Sequence, residues 1–246
     1  MATKHTTGIG AFMLATLLIA ASSDAQSSSS GFTRLTFSPT ARSLPQGEVY
    51  LGDYALLMPF VQVGVTDRIS IGAGTPLLAL SVRPVMFTPK VRVYDRGRVA
   101  VAIGAVDIEV LGRDSRAGMA YLVATVGTGD RSFTLGFDRL YTRVHMSRDV
   151  CSGMITDRRA ERQPCSHEDT VESGSVNAIA IGGESRVSDR VWFVTDNHVD
   201  KFMLNLSGAY RVVNGRLAMD FGAVAWINEY GHIITPVINF AWTLRN

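Results

Sequence analysis

The chain is poor in cysteine, in charge of one sign and in long apolar runs, and each shortage removes a class of protein. Only Cys151 and Cys165 are present, and neither Cys-x-x-Cys nor His-x-x-x-His spacing occurs, so no structural zinc site is expected. The net charge is +2. With no basic stripe interleaved with aromatics, nucleic acid is excluded as a partner. Beyond residue 25 no run approaches the about 18 apolar residues that a spanning helix needs. The one long apolar run, Gly8–Ala21, is too short for a span and lies between Lys4 and the small residues Ser23 and Ala25. That order reads as a secretory signal peptide over residues 1–25, cleaved before Gln26. Residues 26–31 then form a flexible Ser-rich lead, and residues 32–246 form one domain. Export puts both cysteines in an oxidising compartment, where a disulfide across the thirteen residues between them is expected. A metal held by the pair and His167 is the alternative, and it lacks paired ligands. No cofactor is implied.

What the chain does have is alternation. Hydrophobic residues make up 46% of it and mean hydropathy is positive, yet the apolar surplus is dispersed over short period-2 runs rather than helix-period ones. In the last third, Phe202, Leu204, Leu206, Tyr210 and Val212 alternate with polar or small residues. So do Leu217, Met219, Phe221 and Ile227, and then Ile234, Ile238, Phe240, Trp242 and Leu244. Runs of about ten residues with one apolar face suit tilted strands that cross a bilayer. Twelve strands are expected. They run over Thr33–Arg42, Val49–Val63, Ile69–Thr75, Val85–Tyr94, Val99–Glu109, Met119–Val126 and Ser132–Val144. The rest are Val176–Val187, Val191–Asn197, Met203–Val212, Leu217–Ile227 and Ile234–Arg245. A bulge or face switch is expected inside Val49–Val63 and Ser132–Val144.

Between the runs one small knot recurs: Asp67-Arg68, Asp95-Arg96-Gly97-Arg98, Gly129-Asp130-Arg131, Ser188-Asp189-Arg190 and Asn214-Gly215-Arg216. Asp, Asn and Gly tolerate the dihedrals of tight turns, and the knots fall at every second connection. The alternate connections are longer, above all the polar stretch 145–174. Short turns on one side and long loops on the other, with both chain ends on the turn side, describe an up-and-down transmembrane β-barrel. The fold class is therefore all-β, a single antiparallel barrel.

The stretches GVTDRISIGAGTPLL, PTARSLPQGEVYLGDY, RAGMAYLVATVGTGDRSFTLGF, RVSDRVWFVTDN and LSGAYRVVNGRLAMDFG resemble a group of bacterial outer-membrane β-barrel proteins over most of residues 26–246. The resemblance implies the fold and a place in the bacterial outer membrane, and it carries over no catalytic residue. Phe240, Trp242 and Leu244 resemble the alternating finish that such barrels present to the barrel assembly machinery, although the chain ends in Arg245-Asn246. Membrane lipid and small solutes complete the expected partners.

Three groups of side chains are candidates for function. Arg211, Asp220 and Arg245, with Glu184, Asp138 and Asp196, are expected to line the interior, as a structural charge network or as a constriction that selects solutes. His145 and Ser147 lie two apart and project to one face of a strand, the arrangement of a base and a nucleophile. Outer-membrane phospholipase A is similar in carrying His-x-Ser on a twelve-strand barrel. No orienting Asn follows here, so the pair is expected to be ordinary rim residues. Tyr141, Trp192, Tyr210, Trp226, Tyr230 and Trp242 are expected in interfacial girdles; core aromatics of a soluble barrel are the alternative, and parity does not decide Trp192 or Trp226. The expected function is a non-enzymatic outer-membrane barrel, a narrow porin-like channel or a structural surface protein. The alternatives are a lipid-acting hydrolase at His145 and Ser147 and a secreted soluble barrel binding an apolar ligand.

Overall fold

The protein was analysed as a computed structural model, which describes residues 33–77, 83–112, 114–151 and 165–244. Thirteen β-segments form one antiparallel sheet: β1 Val49–Gly52, β2 Phe60–Thr66, β3 Ile69–Gly74, β4 Arg83–Phe87, β5 Lys90–Arg96, β6 Val99–Leu111 and β7 Ser115–Gly127, then β8 Arg131–Cys151, β9 Cys165–Ser188, β10 Val191–Asp200, β11 Met203–Asn214, β12 Leu217–Asn228 and β13 Gly231–Leu244. β4 and β5 are one stave interrupted at Thr88 and Pro89. Both pair with β6, the register carrying over from Phe87 opposite Asp107 to Lys90 opposite Gly104 and shifting only at a bulge between Arg92 and Tyr94. β1 pairs with β2 on one side and with β13 on the other, Val49 opposite Leu244. The ring therefore closes as a twelve-stave barrel, which leaves no unpaired edge.

The count of twelve holds with a changed membership. The expected strand Thr33–Arg42 is not a strand. Its residues fold back on themselves inside the barrel, joined by an isolated bridge between Arg34 and Pro39. Pro39 and the missing strand partners explain why alternation misled there. The expected strand Val49–Val63 is two staves, β1 and β2, separated by residues 53–59. One loss and one division cancel.

The connections also differ from expectation. All five knots join neighbouring staves at one end of the barrel. At the other end β6–β7, β10–β11 and β12–β13 are joined by only two or three residues. The stretch 145–174 is not one loop: β8 and β9 stay paired up to Cys151 opposite Cys165. A bilayer needs about ten tilted strand residues, whereas β8 has 21 and β9 has 24. This hairpin must stand well clear of any apolar band.

The two faces of the wall have opposite chemistry. Val61, Ile71, Ile103, Leu135, Phe137, Ile179 and Phe221 point outward and are exposed, while the alternate positions Gln62, Ser70, Thr134, Asp138, Ala180 and Asp220 point inward and are buried. Three buried apolar clusters lie inside the ring, and each includes one residue of the folded-back segment. Leu35 packs with Trp192 and Val194, Ala41 with Tyr121 and Val123, and Leu44 with Tyr50, Phe60 and Met86. Small wall residues make room. A Cβ at Gly182 would meet Leu35 Cδ1 at 2.6 Å, and one at Gly64 would overlap the carbonyl of Pro45. Residues 33–46 are thus a plug built by the chain for its own lumen.

An outward charge at mid-height tests this assignment of faces. Phe137→Arg, at a site 53% exposed, should destabilise the barrel in lipid by about 2–4 kcal/mol, whereas Tyr230→Arg at a turn should cost about 0–1 kcal/mol. Reversible denaturant unfolding in vesicles measures both, and equal effects would reverse the assignment.

Candidate functional site

The plug begins with a tight reversal. The Leu35 amide donates to the Ser38 carbonyl at 2.8 Å and the Thr40 amide to the Thr33 carbonyl at 3.0 Å. This turn aims successive backbone N–H groups at the wall, where Asp196 of β10 receives them. Its Oδ2 accepts from the amides of Phe37 at 2.6 Å and Ser38 at 2.7 Å, and its Oδ1 accepts from the Ser38 hydroxyl. Ser38 Oγ also lies 2.5 Å from His198 Nε2. His198 Nδ1 is 3.6 Å from Asp138 Oδ2, across the small residues Ala178 and Ala180 of β9.

The order Ser38, His198, Asp138 has the atom pattern of a hydroxyl nucleophile, its base and an orienting carboxylate. Two facts oppose chemistry there. Ser38 is only 2% exposed, and Asp196 already holds the paired N–H groups that would otherwise stabilise an oxyanion. The constellation is a latch between plug and wall.

Below the latch an ionic network surrounds the stem of the plug. Arg211 is 2% exposed and binds Asp220 in a fork, Nε to Oδ1 at 2.7 Å and Nη2 to Oδ2 at 3.0 Å. Its remaining donors reach the carbonyls of Arg34 at 3.3 Å and Leu35 at 3.1 Å. Glu184 stands 3.5 Å from Arg211 and 2.5 Å from Arg42 of the plug, and accepts from the Ser132 hydroxyl at 3.1 Å. Lys90 Nζ donates to the carbonyls of Thr33 and Thr40 at 3.1 and 3.4 Å. Asn239 Nδ2 donates to the carbonyl of Thr36 at 3.1 Å. A charge taken out of water survives only with such partners, and here the plug backbone supplies many of them.

Arg34 of the plug has a third kind of seat. Its Nε donates to Tyr50 Oη at 3.0 Å, and its guanidinium carbon lies 4.6 Å from the ring centre of Tyr54 and 5.5 Å from that of Phe60. Burial keeps the Tyr54 phenol above its ordinary range, against the opposing pull of Arg34. It is therefore a neutral ring that faces the cation, the arrangement cation–π attraction requires.

Of the residues picked out from the sequence, Arg211, Asp220, Glu184, Asp196 and Asp138 all face the lumen, and the first four touch the plug or its ion pairs. Arg245 lies outside the described residues. Cys151 and Cys165 face each other in register, and their side chains lie outside the described residues. His145 sits on a paired strand opposite Val171, its amide donating to Ser115 Oγ at 3.1 Å, and the Ser147 side chain is outside the described residues. Ser38 and His198 were not among the candidates. Ser38 lay in a supposed strand and His198 in a supposed connection, and only the closed ring brings them together. Two girdle assignments change as well. Trp192 is buried inside, its Nε1 donating to the Gly129 carbonyl at 3.0 Å, and Trp226 shares the inner face of β12 with Val224 and Asp220. Tyr141 is on the outer face, its hydroxyl donating to Asp107 at 2.8 Å beside Arg116.

Removing one member of the network should do more harm than removing a matched pair. Arg211→Met leaves Asp220 buried without its partner and should cost about 3–5 kcal/mol, much of it recovered in Arg211→Met/Asp220→Leu. Equilibrium unfolding of the three proteins in lipid decides this; a double variant as weak as the single would contradict the pairing.

No family model matches the chain and no curated protein matches it. Among solved structures it is similar to the Ralstonia pickettii toluene transporter TbuX, at 14% identity and a TM-score of 0.38, over 89% of this chain and 73% of that one.

Proposed function

We propose that this chain is a bacterial outer-membrane barrel whose lumen is closed by its own N-terminal segment, and that it works as a gated, non-enzymatic conduit for small solutes. The outer-membrane reading is supported by the apolar outward face, the polar interior and the knots gathered at one end, which would be the periplasmic end. Detergent dependence, heat-modified gel mobility and recovery with outer membranes are the expected results, and a soluble protein in detergent-free lysate would refute it.

The observation that carries the gate is the latch. Asp196 holds the plug tip by two backbone amides and one hydroxyl, all of which water can replace when the tip withdraws. A hydrogen bond to a charged group contributes about 1.5–3 kcal/mol net when exchanged for one to water, so the latch is strong enough to hold the tip and can still be traded for water. The plug surface is mixed, with Thr33, Thr36, Ser38 and Thr40 buried against the wall beside Leu35, Ala41 and Leu44. A permanently sealed barrel acting as a structural surface protein is the competing reading.

Single-channel recording of refolded protein in planar bilayers separates the two. Wild type should be mostly closed with rare openings. Asp196→Asn presents an NH2 group or a single acceptor to three donors, and Leu35→Asn places an unpartnered amide against Trp192 and Val194. Each should raise open probability at least tenfold, a shift of about 1.4 kcal/mol. Silence from both folded variants would establish the sealed barrel.

The disulfide is part of the same reading. Directly opposed residues in an antiparallel pair have Cα atoms about 4.5–5.5 Å apart, within the span a disulfide bridges. Cys151 and Cys165 hold such positions at the far end of β8 and β9, so the bond would staple the projecting hairpin. Alkylation before and after reduction, read by mass spectrometry, should show both thiols protected until reduced; labelling without reductant would exclude the bond.

A further inference from the structure

We propose that the lumen, once its plug withdraws, prefers cations, so that the solutes admitted are small positively charged molecules; this rests on the gate reading. The argument is one of charge partition between plug and wall. Facing the plug, the wall carries four buried carboxylates, Asp138, Glu184, Asp196 and Asp220, against two buried basic residues, Lys90 and Arg211. The plug between Thr33 and Pro45 contains Arg34 and Arg42 and no acidic residue. The closed lumen is therefore balanced by the plug, and withdrawal leaves the wall acidic. His198, even when protonated, offsets one carboxylate only. Glu48 and Asp53, buried at the two ends of β1, add to the same sign.

The cations at the turn end do not reverse the balance. Arg186 is paired with Asp130 at 3.0 Å and with Asp189 at 3.5 Å, and Arg92 with Asp95 at 2.8 Å. The knots place acid beside base in contact with solvent, where salt screens them within about 10 Å. The carboxylates deeper in the lumen are shielded from water by the wall, and charges lining a confined path act more strongly on a passing ion.

A second observation points the same way. Two of the seats that the plug vacates are seats for cations. Glu184 loses Arg42 at 2.5 Å, and the rings of Tyr54 and Phe60 with the Tyr50 hydroxyl lose Arg34. An aromatic face flanked by a hydroxyl and a carboxylate nearby in the lumen suit a guanidinium or alkylammonium group. The plug then acts as a tethered competitor, its two arginines holding the places of the solute.

The test uses the full chain carrying Leu35→Asn and Ser38→Ala, which loosen the plug without changing any charge. Reversal potentials across a KCl gradient in planar bilayers should report a severalfold preference for potassium over chloride. Adding Asp138→Asn and Glu184→Gln should bring that preference close to parity. Asp138→Asn alone, which among the described residues removes just the ion-pair contact to His198 of the latch, gives an intermediate value and guards against a folding failure of the fuller variant. A chloride preference, no preference, or a cation preference unmoved by Asp138→Asn would overturn the proposal and leave the gate intact. No conductance from any plug variant would remove the gate reading itself.

Discussion

A carboxylate aimed into a barrel must find donors, and Asp196 finds them in the backbone of the chain's own N-terminal segment. The rest of the interior depends on that contact. It draws the reversal at Leu35–Ser38 up against β10, which places Leu35 on Trp192 and Val194 and brings its carbonyl to Arg211. Arg211 in turn neutralises Asp220 and approaches Glu184, which holds Arg42. Without the plug these groups would face water in an open tube. With it they form one satisfied network, and the three apolar clusters of the lumen gain their central residues.

The molecule therefore has two kinds of surface. Outside, apolar side chains stay exposed. Inside, polarity is high, yet burial is nearly complete because the chain itself has displaced the water. Small residues on β9, from Ala178 through Ala180 to Gly182, mark where the wall recedes so that Asp138 and His198 can meet and Leu35 can fit. The ladder of charges inside is thus a feature of closure: the same groups that hold the plug set the charge of the lumen.

Much of the frame was legible from alternation, since a wall with an apolar outer face and a polar interior must repeat every two residues. The five knots were legible too, because tight turns restrict which residues can occupy them. Arg211 and Asp220 fall on the inner face by parity on those strands, whereas parity left the faces of Glu184, Asp138 and Asp196 open. Thr33–Arg42 was misread for the converse reason: a segment that alternates but lies inside a ring has no neighbouring strand to pair with, and periodicity does not record partners. The bend at residues 53–59 hid within a longer apolar run, and the paired extension of β8 and β9 hid within polar sequence that lacks an alternating apolar face.

What the sequence by itself determined is the repeating wall: its period, its turns, its apolar outer side and the signs of the charges within. Those properties are local, set by residues a few positions apart along one chain. Only the tertiary structure decided that the first segment is a plug, that Ser38 meets His198 and Asp196, and that Arg34 rests on Tyr54 and Phe60. Ser38 and Asp196 are 158 residues apart, and nothing in either neighbourhood encodes the other. Ring closure supplies the distance, and burial then requires each charge and each amide within it to find a partner.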